Sequence, residues 1–202
     1  MKMSGYVIVA VVLISVGSSA GCGTKVTRLD VDKTVDLSGR WNDTDARMVA
    51  EEMIKDCLAG NWLTEFNKAE GKDPVVIVGT ILNRTHEHIN SDVFVQDLER
   101  ALASSNKVKF VSSKSEREEV REEREDQQLG NTNPATITAK GMETGADFML
   151  KGAINDVKDE LKGKYAVLYQ ANLELVDLRT NEKKWLGQKK IKKMVVRPPV
   201  GL

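Results

Sequence analysis

The chain has 202 residues, and its 30 lysines and arginines balance its 30 aspartates and glutamates, so the formal net charge at neutral pH is zero. That balance excludes a general electrostatic drive towards nucleic acid or an anionic membrane. Two cysteines, Cys22 and Cys57, are too few for a scaffold stapled by several disulfides.

The first 22 residues read MKMSGYVIVAVVLISVGSSAGC. Lys2 supplies a positive start, Tyr6 to Val16 is apolar but for Ser15, and the residues from Gly17 to Gly21 are small. This order fits a secretory signal. The apolar stretch is too short for a transmembrane helix, which needs about 20 residues. Ala20-Gly21-Cys22 resembles the lipobox of a bacterial lipoprotein signal; Ser19 departs from it, because an apolar residue such as Leu is usual there. Cys22 is the expected acylation site, and an ordinary signal peptide before an incidental cysteine is the alternative. The expected organisation is a signal over 1–21, a lipidated cysteine and short tether over 22–40, one globular domain over 41–197 and a tail over 198–202. Losing Lys2 leaves the mature chain near −1, and its length of about 181 residues suits a single domain. Residues 23–40 carry no strong periodicity and extend at most about 60 Å.

Asn42-Asp43-Thr44 opens the first predicted helix, with Asp43 or Thr44 as cap. Met48, Val49, Met53, Ile54, Cys57 and Leu58 supply its apolar residues and Gly60 its stop. Cys57 reads as a small buried residue. A second helix is expected over Trp62–Ala69. Val75–Leu82 (VVIVGTIL) is the clearest strand, apolar on both faces as a central strand under helices would be. Asn83–Asn90 reads as a polar loop, Ser91 as the cap of a helix over Asp92–Ser104, and Lys107–Ser112 as a strand. Ten of the sixteen residues of Ser115–Gly130 are charged, which predicts a solvated helix laced with ion pairs at i,i+3 and i,i+4. Pro134 suits the first turn of a helix reaching about Thr144. Asp147–Val157, Tyr165–Leu178 and Lys183–Val195 are predicted strands of an antiparallel meander, with turns at Asp159–Lys164 and Arg179–Glu182. Helices come early and strands late around one βα unit, so the fold class is an α/β or α+β sandwich: a mixed β-sheet with flanking helices.

Little chemistry is visible. His86 and His88 flank Glu87, but a metal site usually needs a third protein ligand on a pre-organised element. There is no Ser-His-Asp spacing, no G-x-S-x-G elbow and no phosphate loop. The expectation is therefore no enzyme, no cofactor and no metal. Asn83, Arg84, Glu87 and His88 follow a buried strand and precede a helix, so they read as a structural loop that satisfies backbone groups, with Arg84 and Glu87 able to pair locally. Of Trp41, Trp62 and Trp185, at least two are expected to fill buried space.

Several stretches together resemble a known family. They are SGRWNDTDARMVAEEMI from Ser38, the N-R-T-x-E-H-I run at Asn83–Ile89, the late Gly145-Ala146-Asp147, and Lys183-Lys184-Trp185 before a basic strand. They are similar to the LpoB-type lipoproteins that activate penicillin-binding proteins, over about residues 36–195. The resemblance implies a domain like the N-terminal domain of TolB. It also implies an outer-membrane lipoprotein on the periplasmic face that docks a class A penicillin-binding protein and stimulates peptidoglycan synthesis without chemistry of its own. The best-known members carry a long proline-rich tether, whereas residues 23–40 contain no proline. The alternative of a different class is a structural or assembly lipoprotein of the outer membrane that reuses the fold.

Overall fold

The computed structural model describes residues 26–30, 33–161 and 163–196. The signal, Cys22 and the tail lie outside them. The chain divides between Lys33 and Thr34. In the first unit the Lys33 amide donates to the Asp30 carbonyl.

The unit from Thr34 is built from helices α1 (Asp43–Ala59), α2 (Asn61–Glu70), α3 (Ser91–Ser104) and α4 (Lys114–Asp126). Its strands are β1 (Val75–Arg84), β2 (Lys109–Phe110), β3 (Phe148–Leu161), β4 (Lys164–Asp177) and β5 (Lys183–Val196). They form one mixed sheet in the order β2-β1-β3-β4-β5. β1 pairs parallel with β2 and β3, and β3, β4 and β5 run antiparallel. This is the α+β architecture, with its late meander, that the order of elements predicts.

The first helix is capped by Asn42, one residue earlier than expected. The Asp45 amide donates to the Asn42 side chain and the Asn42 amide donates to the Asp45 carboxylate, each at 3.0 Å, a reciprocal capping box. The buried stripe of α1 runs through Ala46, Val49, Ala50, Met53, Ile54, Cys57 and Leu58. Met48 stands outside it, exposed, because it lies about 100° round the helix from Val49. α3 likewise is capped by Asn90, whose side chain accepts from the Asp92 amide, and not by Ser91. Val76, Val78, Ile81, Phe148, Leu150, Ile154 and the alternate residues of β4 from Val167 to Leu175 meet α1, α2 and α3 in one core. Trp62 and Phe66 pack edge-on against Phe148 with ring centres 5.0 and 5.2 Å apart. Trp62 is buried, and Trp41 and Trp185 are partly buried against the core. β1 is buried through Val75–Val78 but opens on one face at Thr80 and Leu82, so helices do not cover it along its whole length.

Three expectations are corrected. The segment after Pro134 makes only a single 3₁₀ turn, Pro134–Thr136. Ile137 and Thr138 are β-branched and resist continuation, and Gly141 takes a left-handed φ of 79°. The strand expected over Lys107–Ser112 shrinks to two paired residues. The turn expected at Asp159–Lys164 is tighter, since pairing continues to Leu161 opposite Lys164.

α4 buries no residue, as a solvated helix should. The ion pairs expected along the helix are not formed among the described residues; those of α4 reach across the chain instead. Arg121 and Arg124 both grip Glu143 at 2.7 and 2.8 Å, and Lys140 meets Glu125. These contacts fasten the irregular connection 130–146 to α4. The bond from Arg121, with the two guanidinium charges beside it, holds the Glu143 carboxyl down to about 2. A depressed carboxyl stabilises above its unfolded pKa, near 4.3, and loses that contribution as the pH falls through its folded value. Glu143→Gln should therefore loosen residues 137–145 at neutral pH, read as lower NMR order parameters there. Wild type should loosen in the same way only as the pH falls from about 4 towards 2.

Candidate functional site

β1 ends at Arg84, and the chain must turn back into α3 within six residues. Asn83 organises that turn. Its side-chain nitrogen donates to the carbonyls of Glu87 (2.9 Å) and Ile89 (3.3 Å), and its oxygen accepts from the amide and hydroxyl of Thr85. Ile89 is buried and pins the loop to the core. The turn thereby directs Glu87 inwards. One carboxylate oxygen accepts from the Tyr169 hydroxyl at 2.7 Å, the other from the Trp41 amide at 3.3 Å. Tyr169 is fully buried in the middle of β4. Burial first, then its bond to the Glu87 carboxylate, pushes its hydroxyl well above the usual tyrosine range, so it stays a neutral donor. Trp41 packs edge-on between Phe94 of α3 and Tyr169, ring centres 6.0 and 5.7 Å away. One carboxylate thus ties the loop, the segment before α1 and the middle of β4 together.

The histidines diverge. The His86 amide and ring Nδ1 both lie within hydrogen-bonding distance of Asp156 on β3, at 3.1 and 2.8 Å. His88 is exposed along a groove of about 740 Å³ shared with Leu37, Trp41, Asp156, Lys158 and Val196. Among the described residues no three potential ligands gather as a metal centre would require. Arg84 does not pair with Glu87. The pleat puts Arg84 opposite Asn155, on the face turned away from the helices, while Glu87 turns towards them. Cys57 is buried, and burial pushes its thiol up to about 12, so it stays protonated at neutral pH. Among the described residues no helix is long and apolar enough to cross a membrane.

The segment before α1 is part of this site. Ser38 O accepts from Tyr165 at 2.7 Å, and Lys193 Nζ reaches Asp36 and Asp45 at 2.6 Å each and Arg40 O at 3.1 Å. Sequence reasoning singled out Trp41 but not Tyr169, Asp156 or Lys193. The available signal was a tyrosine between alternating apolar positions, whose buried hydroxyl must find an acceptor.

Away from the helices, β1, β3, β4 and β5 present a second surface. A groove of about 810 Å³ runs across it, lined among others by Leu82, Arg84, Lys151, Asn172, Leu186 and Gln188. Asn172 accepts from both Gln170 and Gln188 at 3.0 Å, joining β4 to β5. Both surfaces offer shape, hydrogen bonds and charge.

Glu87→Ala should lower the melting temperature by several degrees, because it leaves the buried Tyr169 hydroxyl only a long bond to the Gly39 carbonyl, 3.4 Å away, at a cost of about 1–3 kcal/mol. Adding Tyr169→Phe should recover part of that loss, since the orphaned hydroxyl is then gone. Thermal denaturation of the three variants measures both effects.

A family model for the peptidoglycan-synthase activator LpoB matches residues 45–191, from the first turn of α1 well into β5. No curated protein matches the chain at a significant level. Among solved structures, the chain is similar to the LpoB C-terminal domain from Salmonella enterica, with 19% identity and a TM-score of 0.40 over 73% of this chain and 98% of that one. It is also similar to LpoB of E. coli, with 16% identity and a TM-score of 0.41 over 91% and 84%. A third is lipoprotein GNA1162 from Neisseria meningitidis, with 19% identity and a TM-score of 0.39 over 60% and 83%. The match of the family model over most of the folded unit places this chain in the LpoB family of peptidoglycan-synthase activators.

Proposed function

We propose that this protein is a lipoprotein acylated at Cys22 and held on the periplasmic face of the outer membrane, where its folded unit docks a class A penicillin-binding protein and raises its synthesis of peptidoglycan. The observation that carries this reading is the family match over residues 45–191. That span covers nearly every element of the unit, which supports an activating surface on the fold and not on the tether. The protein supplies no chemistry of its own; it works by binding. An interface of ordinary size, about 1,600 Å² in total, fits on one face of a domain this large. Asn83 and Glu87 serve the fold, while Arg84 and His88, both exposed, are available to a partner.

The contacts of residues 36–40 with β4 and β5 shorten the usable tether. From Cys22 to Thr34 the covalent reach is about 40 Å at about 3.3 Å per residue. A synthase anchored in the inner membrane must therefore extend its docking module most of the way to the outer membrane. This short reach favours a second reading, in which the protein is a structural or assembly lipoprotein of the outer membrane.

Two measurements test the proposal. Wild type should take up labelled palmitate and float with the outer membrane, and Cys22→Ala should do neither; equal behaviour would remove the anchor. Glycan polymerisation by the class A synthase of the same organism should rise when the protein is added. No stimulation and no binding at tens of micromolar, a weak affinity for a specific complex, would leave the assembly reading.

A further inference from the structure

The balanced net charge hides a local asymmetry. Beyond Asn155, the open face of β3, β4 and β5 is a set of cross-strand rows fixed by register: Val157, Leu168 and Lys192; Asp159, Ala166 and Met194; Leu161, Lys164 and Val196. Val157 is 67% exposed, Leu161 73%, Met194 75% and Val196 58%. Exposed large apolar side chains scattered singly are ordinary, but a contiguous cluster marks an interaction surface. Around them stand Lys164 and Lys192, with Lys190 one row nearer the middle of the sheet. All three are exposed, and among the described residues none is paired with a carboxylate. The lysines of β5 that face the helices are used differently: Lys189 meets Glu52, and Lys193 meets Asp36 and Asp45. Asp159 is the one anion in these rows.

The chain also enters the folded unit here. Asp36 is bonded to Lys193 and Ser38 to Tyr165, next in sequence to Met194 and Lys164. The chain from Cys22, about 40 Å at most to Thr34, thus joins the folded unit at the end that carries the apolar and cationic rows. We propose that this distal open face of β3–β5 lies on the anionic phospholipid surface to which the protein is anchored, with Val157, Leu161, Met194 and Val196 at the headgroup boundary and Lys164, Lys190 and Lys192 against lipid phosphates. The inference rests on acylation at Cys22. It leaves to a partner the part of the same face that runs on from the row of Arg84 and Lys190, along the groove lined by Lys151, Asn172 and Leu186.

The test uses the mature acylated protein in phosphatidylcholine vesicles with or without phosphatidylglycerol. A polarity-sensitive fluorophore is placed at Val157→Cys, or at Glu119→Cys on α4 as reference; Cys57 is buried and Cys22 acylated, so neither takes the label. With phosphatidylglycerol, the label at 157 should shift to the blue and be quenched by nitroxide lipids, while the label at 119 stays aqueous. At least half of that quench should disappear without phosphatidylglycerol, at high salt, or in the triple variant Lys164→Gln, Lys190→Gln, Lys192→Gln, whose melting temperature verifies its fold. Equal water exposure of the two labels on anionic vesicles would overturn the proposal. Protection at 157 only after a penicillin-binding protein is added would overturn it too, and would assign the face to the synthase. A chain that fails to float with vesicles of either composition would remove the anchor itself, and the proposal with it.

Discussion

The pleat of β4 is the constraint on which the rest of the structure depends. Side chains of a strand alternate between faces. Burying Val167, Tyr169, Ala171, Leu173 and Leu175 under α1, α2 and α3 therefore turns Ala166, Leu168, Gln170, Asn172 and Glu174 outwards. Register carries the same division to β3 on one side and β5 on the other. A slip of one residue would put the apolar set in water and the polar set in the core. The sheet is thus one-sided by necessity, and the open side is where a binding protein of this architecture has surface to offer.

Polar residues fix how the helical layer sits on this sheet. Burial of apolar area is non-directional and would hold α1 on the sheet without choosing its position. On β5 the inward-facing Trp185, Lys189 and Lys193 meet Asp56, Glu52 and Asp45 of α1, three contacts along one helix. Gly187 belongs to the same arrangement. The Trp185 ring lies over it, where a Cβ would collide with the indole. At the other side, Glu87 joins Tyr169 and Trp41. The loop after β1, the segment before α1 and the middle of β4 then move as one piece. The buried bonds of Lys193 to Asp45 and of Tyr169 to Glu87 cost far more when one partner is removed than they contribute intact, and the exposed ones contribute little, so their value is positional.

For an activator of this family the consequence is geometric. Because residues 36–40 are held against β4 and β5, the chain enters the unit at the far end of the three long strands. The groove across β1, β3, β4 and β5 begins at the row of Arg84 and Lys190 and runs towards the other end of the same face. In the proposed arrangement one open face serves two neighbours, lipid at one end and synthase at the other.

The sequence by itself determined the elements whose cause is local. Helical spacing marked α1 and α3, β-branched runs marked β1, and alternation with turn residues marked the β3–β5 meander. The family of the chain was also legible, in the runs around Trp41, Asn83–Ile89 and Trp185. Caps shifted by a residue or two because Asn42 and Asn90 compete with equally suitable neighbours. The helix expected after Pro134 failed because Ile137, Thr138 and Gly141 outweigh a favourable first turn. Tertiary structure alone decided the partners. Glu87 bonds Tyr169, 82 residues away, and not the nearby Arg84. Arg121 and Arg124 leave their helix for Glu143, and Lys193 joins Asp36 to Asp45. No spacing rule reaches across such separations. Which charges meet depends on which strand lies beside which helix, and that follows from burial of the whole apolar set at once.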